Sequence, residues 1–203
     1  MAISTYAELQ TAVSNWLDRS DLTARIPEFI SIAESRINRK LRIRDQETES
    51  DVSLVAGTRT AALPTGFREI KRVYLNTSPS TQLEYIAPSD YWKRYLSTDS
   101  GRPQAFTIEG SNMLFGPVPD SSYTAKVLHN KQLDALSSSA HGTFTSNPDL
   151  YLCGALTSAE PFLKNDKRLP MWKSLFDEIL NELMVQDRTY QGPMRMRDDS
   201  NPY

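Results

Sequence analysis

From Tyr6 to Leu41 apolar residues recur every three or four positions, the spacing of amphipathic helices. Leu9, Val13 and Leu17, with Ala12 and Trp16 beside them, predict a helix from Tyr6 to about Arg19, opened by Ser4 or Thr5 as N-cap. A second stripe, Ile26, Ile30, Ala33, Ile37 and Leu41, predicts a helix that restarts at Asp21 and runs to Arg44. Pro27 falls in its first turns, where a missing N–H is tolerated. Past Arg44 the period drops to two. Val52, Leu54 and Ala56 alternate up to a turn at Gly57, and "REIKRVYL" is rich in β-branched and aromatic types. "PQAFTIEG", "NMLFGPVP" and "SYTAKVLHNK" read as further strands, and "APSDYWKRYL" as a short helix capped by Ser89. A polar, small-residue loop is expected from Ser137 to Ser146. Helical spacing then resumes through Leu152, Ala155, Leu156 and Ala159, with Asn147 as cap and Pro148 at the first position. A last helix turns Leu175, Ile179, Leu183 and Met184 inward.

Amphipathic helices need partners for their apolar stripes, so the two terminal helix pairs are expected to pack together. The fold class this implies is α+β: a discontinuous helical bundle, 1–44 with 147–190, and a β-rich insertion, 45–146. The closing "QGPMRMRDDSNPY", 191–203, has turn residues and no periodicity, and is expected to be an extended tail. No internal repeat is visible.

Charge and composition narrow the function. The 203 residues carry 23 basic against 25 acidic groups, a net charge of −2, so no protein-wide field gathers nucleic acid or an anionic membrane. Cys153 is the one cysteine, which rules out an intrachain disulfide and a cysteine-rich zinc site. "MAISTYAELQ" lacks the pattern of a secretory signal, and no run of about 18 apolar residues occurs, so the expected location is a cytoplasm or a particle assembled there, without a membrane. No phosphate-binding loop, dinucleotide turn, HExxH pair or GxSxG elbow is present. His129 reads as a structural histidine in a strand, His141 as a solvated loop residue and Cys153 as a small buried hydrophobe. The alternating acids Asp45, Glu47, Glu49 and Asp51 read as the outward face of an edge strand rather than a metal site. The expectation is a protein without catalytic residues, cofactor or metal.

One stretch departs from the balanced charge. "RINRKLRIR" packs five cations into nine positions. With Ile37 and Leu41 buried, Arg36, Lys40 and Arg44 align at i, i+4 with Arg39 close by, a positive ridge on one helix face. In a single subunit this is a solvated face suited to the helix C-terminal dipole. In a ring it would meet acids of a neighbouring copy, such as "DQETESD", or face a channel carrying DNA. A small DNA-binding module that lays this helix in a groove is the alternative reading.

Three phrases carry a family likeness. "TYAELQTAVSNWLDRSDLTARIPEFISIAESRINRKLR", "LPTGFREIKRVYL" and "NPDLYLCGALTSAEPFLKNDKRLPMWKSLFDEIL" resemble the head-to-tail adaptor, or connector, proteins of tailed bacteriophages, particularly short-tailed ones. The resemblance runs from Thr5 to about Gln186. It implies a homo-oligomeric ring, commonly of twelve subunits, below the portal protein, with a platform for tail or nozzle proteins and a passage for genomic DNA. It implies a virion protein of the head–tail neck, and a C-terminal segment that reaches the portal, here Met194, Arg195, Met196, Arg197 and Tyr203. Gly192, Pro193 and Pro202 prevent regular helix there, so such docking would be extended or irregular.

Overall fold

The computed structural model describes residues 3–137, 140–163 and 167–190. Its order is α1 (Tyr6–Leu17), α2 (Ile26–Lys40), β1 (Glu47–Leu54), β2 (Thr60–Ala62), β3 (Phe67–Leu75), β4 (Thr81–Gln82), β5 (Glu84–Tyr85) and α3 (Pro88–Arg94). Then follow β6 (Ser100–Gly101), β7 (Ala105–Glu109), β8 (Asn112–Gly116), β9 (Val118–Pro119), β10 (Tyr123–Lys131), α4 (Gly142–Ser146), α5 (Pro148–Leu163) and α6 (Leu169–Tyr190). The chain is α+β, and it divides into two compact units: the described residues of Met1–Asp45 with Leu133–Tyr203, and Gln46–Gln132.

The helical unit is assembled around α5, which packs against α1, α2, α4 and α6. Every residue of α5 from Leu150 to Glu160 is buried, so this helix has no wet face over those three turns. The close approach is made at Gly154: a Cβ there would lie 2.9 Å from the Ala33 Cβ of α2 and 3.0 Å from the Phe176 ring of α6. Buried hydroxyls on α5 are satisfied within the helix, Thr157 donating to the Cys153 carbonyl at 2.7 Å and Ser158 to the Gly154 carbonyl at 2.9 Å. Glu160 is fully buried, and one carboxylate oxygen accepts from Trp172 Nε1 at 3.2 Å with Arg168 Nε at 3.4 Å.

Around this helix the α2 stripe of Ile26, Ile30, Ala33, Ile37 and Leu41 is buried throughout, and α1 contributes Leu9, Val13 and Leu17. A capping box opens α1: Thr5 accepts from the Glu8 amide, and the Glu8 carboxylate accepts from the Ser4 and Thr5 amides. Those donors hold the Glu8 carboxyl down to about 2. The helix stops at Leu17, short of Arg19, because Asp18 takes a left-handed φ of 52° and closes it. On α6 the inward face is Trp172, Phe176 and Leu180, flanked by Ile179, Leu183 and Met184, while Leu175 is exposed.

Three expected boundaries move. α2 begins at Ile26 rather than Asp21 and ends at Lys40 rather than Arg44, where Leu41 turns extended. Residues 133–146, assigned with the β-rich insertion for want of a helical period, cluster with the helices instead: Leu136 and Phe144 are buried in the helical core, and the expected loop contains α4.

The second unit has a four-stranded sheet in the order β1-β10-β3-β4, another in the order β2-β8-β7-β5, and the pair β6-β9. Val52, Leu54, Val73, Leu75, Ala125 and Val127 of the first sheet share one apolar cluster with Phe106, Met113 and Phe115 of the second. The antiparallel β1–β10 pair matches Glu47 with Asn130 and Leu54 with Tyr123. Along β1 even-numbered side chains turn toward the core and odd-numbered ones away, whereas Ala56 lies exposed in the turn beyond it. Ala87, not Ser89, stands at the N-cap of α3, with Pro88 at its first position. Tyr91 of α3 donates to the Phe115 carbonyl at 2.8 Å, and burial pushes its hydroxyl up to about 12.

Gly154→Val forces a branched side chain into the three-helix contact and is expected to destabilise the protein by about 1–3 kcal/mol. Urea unfolding followed by circular dichroism measures it; an unchanged midpoint would mean that the helices can part there without cost.

Candidate functional site

The basic stretch begins on the last turns of α2 and leaves the helix at Leu41, so its five cations do not form one ridge. Lys40, at the helix end, reaches Asp177 of α6, with Nζ 2.6 Å from Oδ1, and lies 5.8 Å from the Phe176 ring centroid. Arg44, past the helix, donates its backbone N–H to Asp187 of α6 at 3.0 Å and holds its Nε 3.8 Å from the same carboxylate. Arg42 turns back and donates to the carbonyls of Leu41 at 2.6 Å, Asn38 at 3.2 Å and Arg39 at 3.3 Å. It thereby satisfies carbonyls at the helix end, where a cation also suits the dipole. Arg36 and Arg39 differ from these three. Arg36 is half-buried and Arg39 exposed, and neither side chain makes a hydrogen bond or ion pair among the described residues.

The expected ridge is thus corrected in one respect, since Arg44 is off the helix, and a second feature was not expected: within the chain, Asp177 and Asp187 of α6 lie against Lys40 and Arg44. The spacing of "RINRKLRIR" contains the signal for the first point only weakly, in a run of cations that favours a helix C-terminus. It contains no signal for the second, since Asp177 and Asp187 lie far along the chain.

Asn38 is a residue that periodicity alone missed. Its Nδ2 donates to the Leu133 carbonyl at 3.3 Å and its Oδ1 accepts from the Leu133 amide at 2.9 Å, so one side chain fixes the returning chain against α2. Glu34 accepts from the Leu136 amide at 2.7 Å in the same segment, and burial holds its carboxyl above the usual range.

The acids of β1 face away from the core beside cations of the same sheet. Lys126 of β10 meets Asp51 at 2.8 Å and Glu49 at 3.2 Å, Lys71 of β3 meets Glu47 at 3.2 Å, and Tyr74 donates to Glu49 at 2.8 Å. No group of three or more His, Cys, Asp or Glu side chains is placed to hold a metal among the described residues.

His129 is fully buried in β10, its Nδ1 3.2 Å from the Val127 carbonyl and its ring stacked on Phe67. Cys153 is buried in the helical core, and burial raises its thiol. His141 is not a freely solvated loop residue: its Nδ1 accepts from the Phe144 amide at 3.4 Å to cap α4, and its Nε2 lies 3.3 Å from the Tyr151 hydroxyl. Burial lowers its pKa against the opposing pull of Asp134 and Asp45. The tail residues Met194, Arg195, Met196, Arg197 and Tyr203 lie outside the described residues.

What unites both units is the family comparison: the SU10 adaptor protein family model matches residues 4–197. The chain belongs to the SU10 adaptor protein family. It is a bacteriophage head–tail adaptor, a structural component of the virion, and its family is not one of enzymes. No curated protein matches the chain. The match spans the adaptor's helices, its β-rich unit and the tail through Arg197. No described helix of the adaptor is long and apolar enough to cross a membrane.

Lys40 and Asp177 are both partly exposed, so their double-mutant cycle to alanine is expected to give a coupling of about 0.2–1 kcal/mol that shrinks in high salt. For His141 the folded pKa lies below the unfolded one, so the unfolded chain binds more protons and stability falls as pH drops through the unfolded value. Acidification from about pH 7.5 to about pH 5.5 is therefore expected to cost wild type more stability than His141→Asn, which keeps a capping side chain without that titration. Glu34 works in the opposite direction at lower pH, so the difference between the two proteins is the quantity to measure by thermal unfolding.

Proposed function

We propose that this adaptor forms a homo-oligomeric ring, of twelve copies, that joins the portal vertex of the phage head to a short tail and continues the DNA channel. It has no catalytic role, takes no cofactor, and lets genomic DNA pass without sequence-specific binding. The observation that carries this reading is the family match over residues 4–197, which includes both units and the start of the tail. In this reading Met194, Arg195, Met196, Arg197 and Tyr203 meet the portal protein, and the β-rich unit meets the next tail or nozzle protein. The ring is assembled in the host cytoplasm and remains at the neck of the virion.

Within that ring, Arg36 and Arg39 are the cations of α2 available for a neighbouring subunit or for the lumen. Lys40 and Arg44 support them from the same helix end while tied to Asp177 and Asp187. The same ties weigh against an independent DNA-binding module. A helix laid in a groove relies on several cations free to meet phosphates, and here Lys40, Arg42 and Arg44 are engaged within the chain. Repeated interfaces stabilise a closed ring even where each contact is weak.

Native mass spectrometry of the adaptor alone and after mixing with its portal protein tests the proposal. The expected result is a small species alone and a ring-stoichiometric complex with portal, lost on truncation after Tyr190. A protein that ignores the portal and binds free duplex DNA with a steep salt dependence, abolished by alanine at Arg36, Lys40 and Arg44, would overturn it in favour of the DNA-binding reading.

A further inference from the structure

Two outward helix stripes in the helical unit carry opposite charge. On α2, Ile32, Arg36 and Arg39 fall at i, i+4 and i+7; Ile32 is 45% exposed, and neither arginine side chain has a partner among the described residues. On α6, Leu175, Glu178 and Glu182 fall at i, i+3 and i+7; Leu175 is 38% exposed, and both carboxylates are exposed and without a partner among the described residues. Beside these acids a shallow groove of about 610 Å³ is lined by Ser174, Glu178, Asn181 and Glu182.

Neither stripe is neutralised by its own helix. The positions three and four away from Arg36 and Arg39 hold no acid, and those around Glu178 and Glu182 hold no cation. Asp177, which α6 also brings to this end of α2, is taken by Lys40. Arg36 with Arg39, and Glu178 with Glu182, are like charges at helical spacing, a small cost to the single subunit that a neighbour of opposite sign removes.

The order along the two helices matches as well. Each stripe opens on an apolar side chain and carries its two charges over the next seven residues, about 10 Å of helix. A parallel alignment sets Ile32 by Leu175, Arg36 by Glu178 and Arg39 by Glu182, whereas the reverse alignment would set Ile32 against a carboxylate. Parallel is also what a ring supplies. Within the chain both helices run against α5: Phe29 meets Phe162 and Ala33 lies against Gly154, while Trp172 meets Glu160 and Phe176 lies against Gly154. α2 and α6 therefore share a direction. Neighbouring copies in a ring of many subunits are rotated little from one to the next, so α2 of one copy and α6 of the next keep that shared direction.

We propose that the α2 stripe docks on the α6 stripe of a second copy of this chain, Arg36 and Arg39 of one copy pairing with Glu178 and Glu182 of the next while Ile32 covers Leu175. The arginine stems lie along the groove beside the acids. Each copy offers one cationic and one anionic face, so the contact is heterologous and propagates around the ring. It rests on the ring reading, and it assigns Arg36 and Arg39 to the neighbouring subunit rather than to the lumen.

Two charge-reversed full chains test it, one with Arg36→Glu and Arg39→Glu, the other with Glu178→Lys and Glu182→Lys, each mixed with portal protein and weighed by native mass spectrometry. Alone, each variant sets like charge against like at every interface, and the ring complex is expected to need at least about tenfold more protein to form. Mixed in equal amounts the two restore it, because every interface of an alternating ring then pairs opposite signs. Wild-type rings matched by both variants alone would overturn the contact and leave the ring reading standing. Loss in both folded variants without restoration on mixing would overturn the pairing and turn Arg36 and Arg39 to the lumen or the portal. If a variant fails to fold, Ile32→Cys and Leu175→Cys chains are mixed with portal and oxidised, the native Cys153 being buried. The contact then requires an interchain disulfide at least about tenfold faster than between Ile32→Cys and Val185→Cys, and equal rates would overturn it. No ring from the wild-type chain would sink the ring reading, and this contact with it.

Discussion

The helical unit depends on the burial of α5. A helix buried on all sides over three turns must be covered by other helices, and in this chain they come from both ends, α1 and α2 before the β-rich unit and α6 after it. Gly154 permits the nearest approach, because the absent Cβ is where Ala33 and Phe176 meet the helix. Closing the helical unit therefore means closing a long loop, but that entropic cost grows only slowly with length. The β-rich unit has its own apolar cluster, so a segment of this size can be inserted in the chain between α2 and α4 without drawing its core from the helices.

The polar contacts follow from that arrangement. Asn38 and Glu34 take up the backbone of the returning chain, Arg42 covers the carbonyls at the end of α2, and Lys40 and Arg44 meet acids of α6. Most of the positive charge in "RINRKLRIR" thus serves the subunit itself. Exposed pairs of this kind contribute little individually to stability. Their larger effect is on what remains outside: Arg36 and Arg39 are left as the cations of α2 without a partner among the described residues, which shifts attention from the ridge as a whole to its upstream half.

Much of the fold is legible in the sequence because it is local. The period of 3.6 along α2 identified most of its buried stripe though not Phe29 or Asn38, the alternation at Val52 and Leu54 identified the inward face of β1, and Ser4 or Thr5 as cap marked the start of α1. Errors occurred where a local pattern was overridden. Leu41 continues the helical spacing but is buried from an extended backbone, since apolar burial does not require the helix to persist. The polar segment 133–146 lacks a period, yet Leu136 and Phe144 anchor it in the helical core. On α6 the stripe through Trp172, Phe176 and Leu180 won over the one through Leu175, a choice between adjacent faces made by the surface of α5.

By itself the sequence determined the helical and extended character of most segments, the absence of familiar catalytic motifs, and the family likeness, because these reside in residue type and short spacing. Only the tertiary structure decided which acids meet the basic residues, what His141 caps, and which strands are left at the sheet edges. Asp177 and Lys40 are separated by most of the chain, and nothing in the vicinity of either names the other. Their pairing is set by the packing of α2 and α6 on α5, and charge follows where apolar burial has already brought the backbones together.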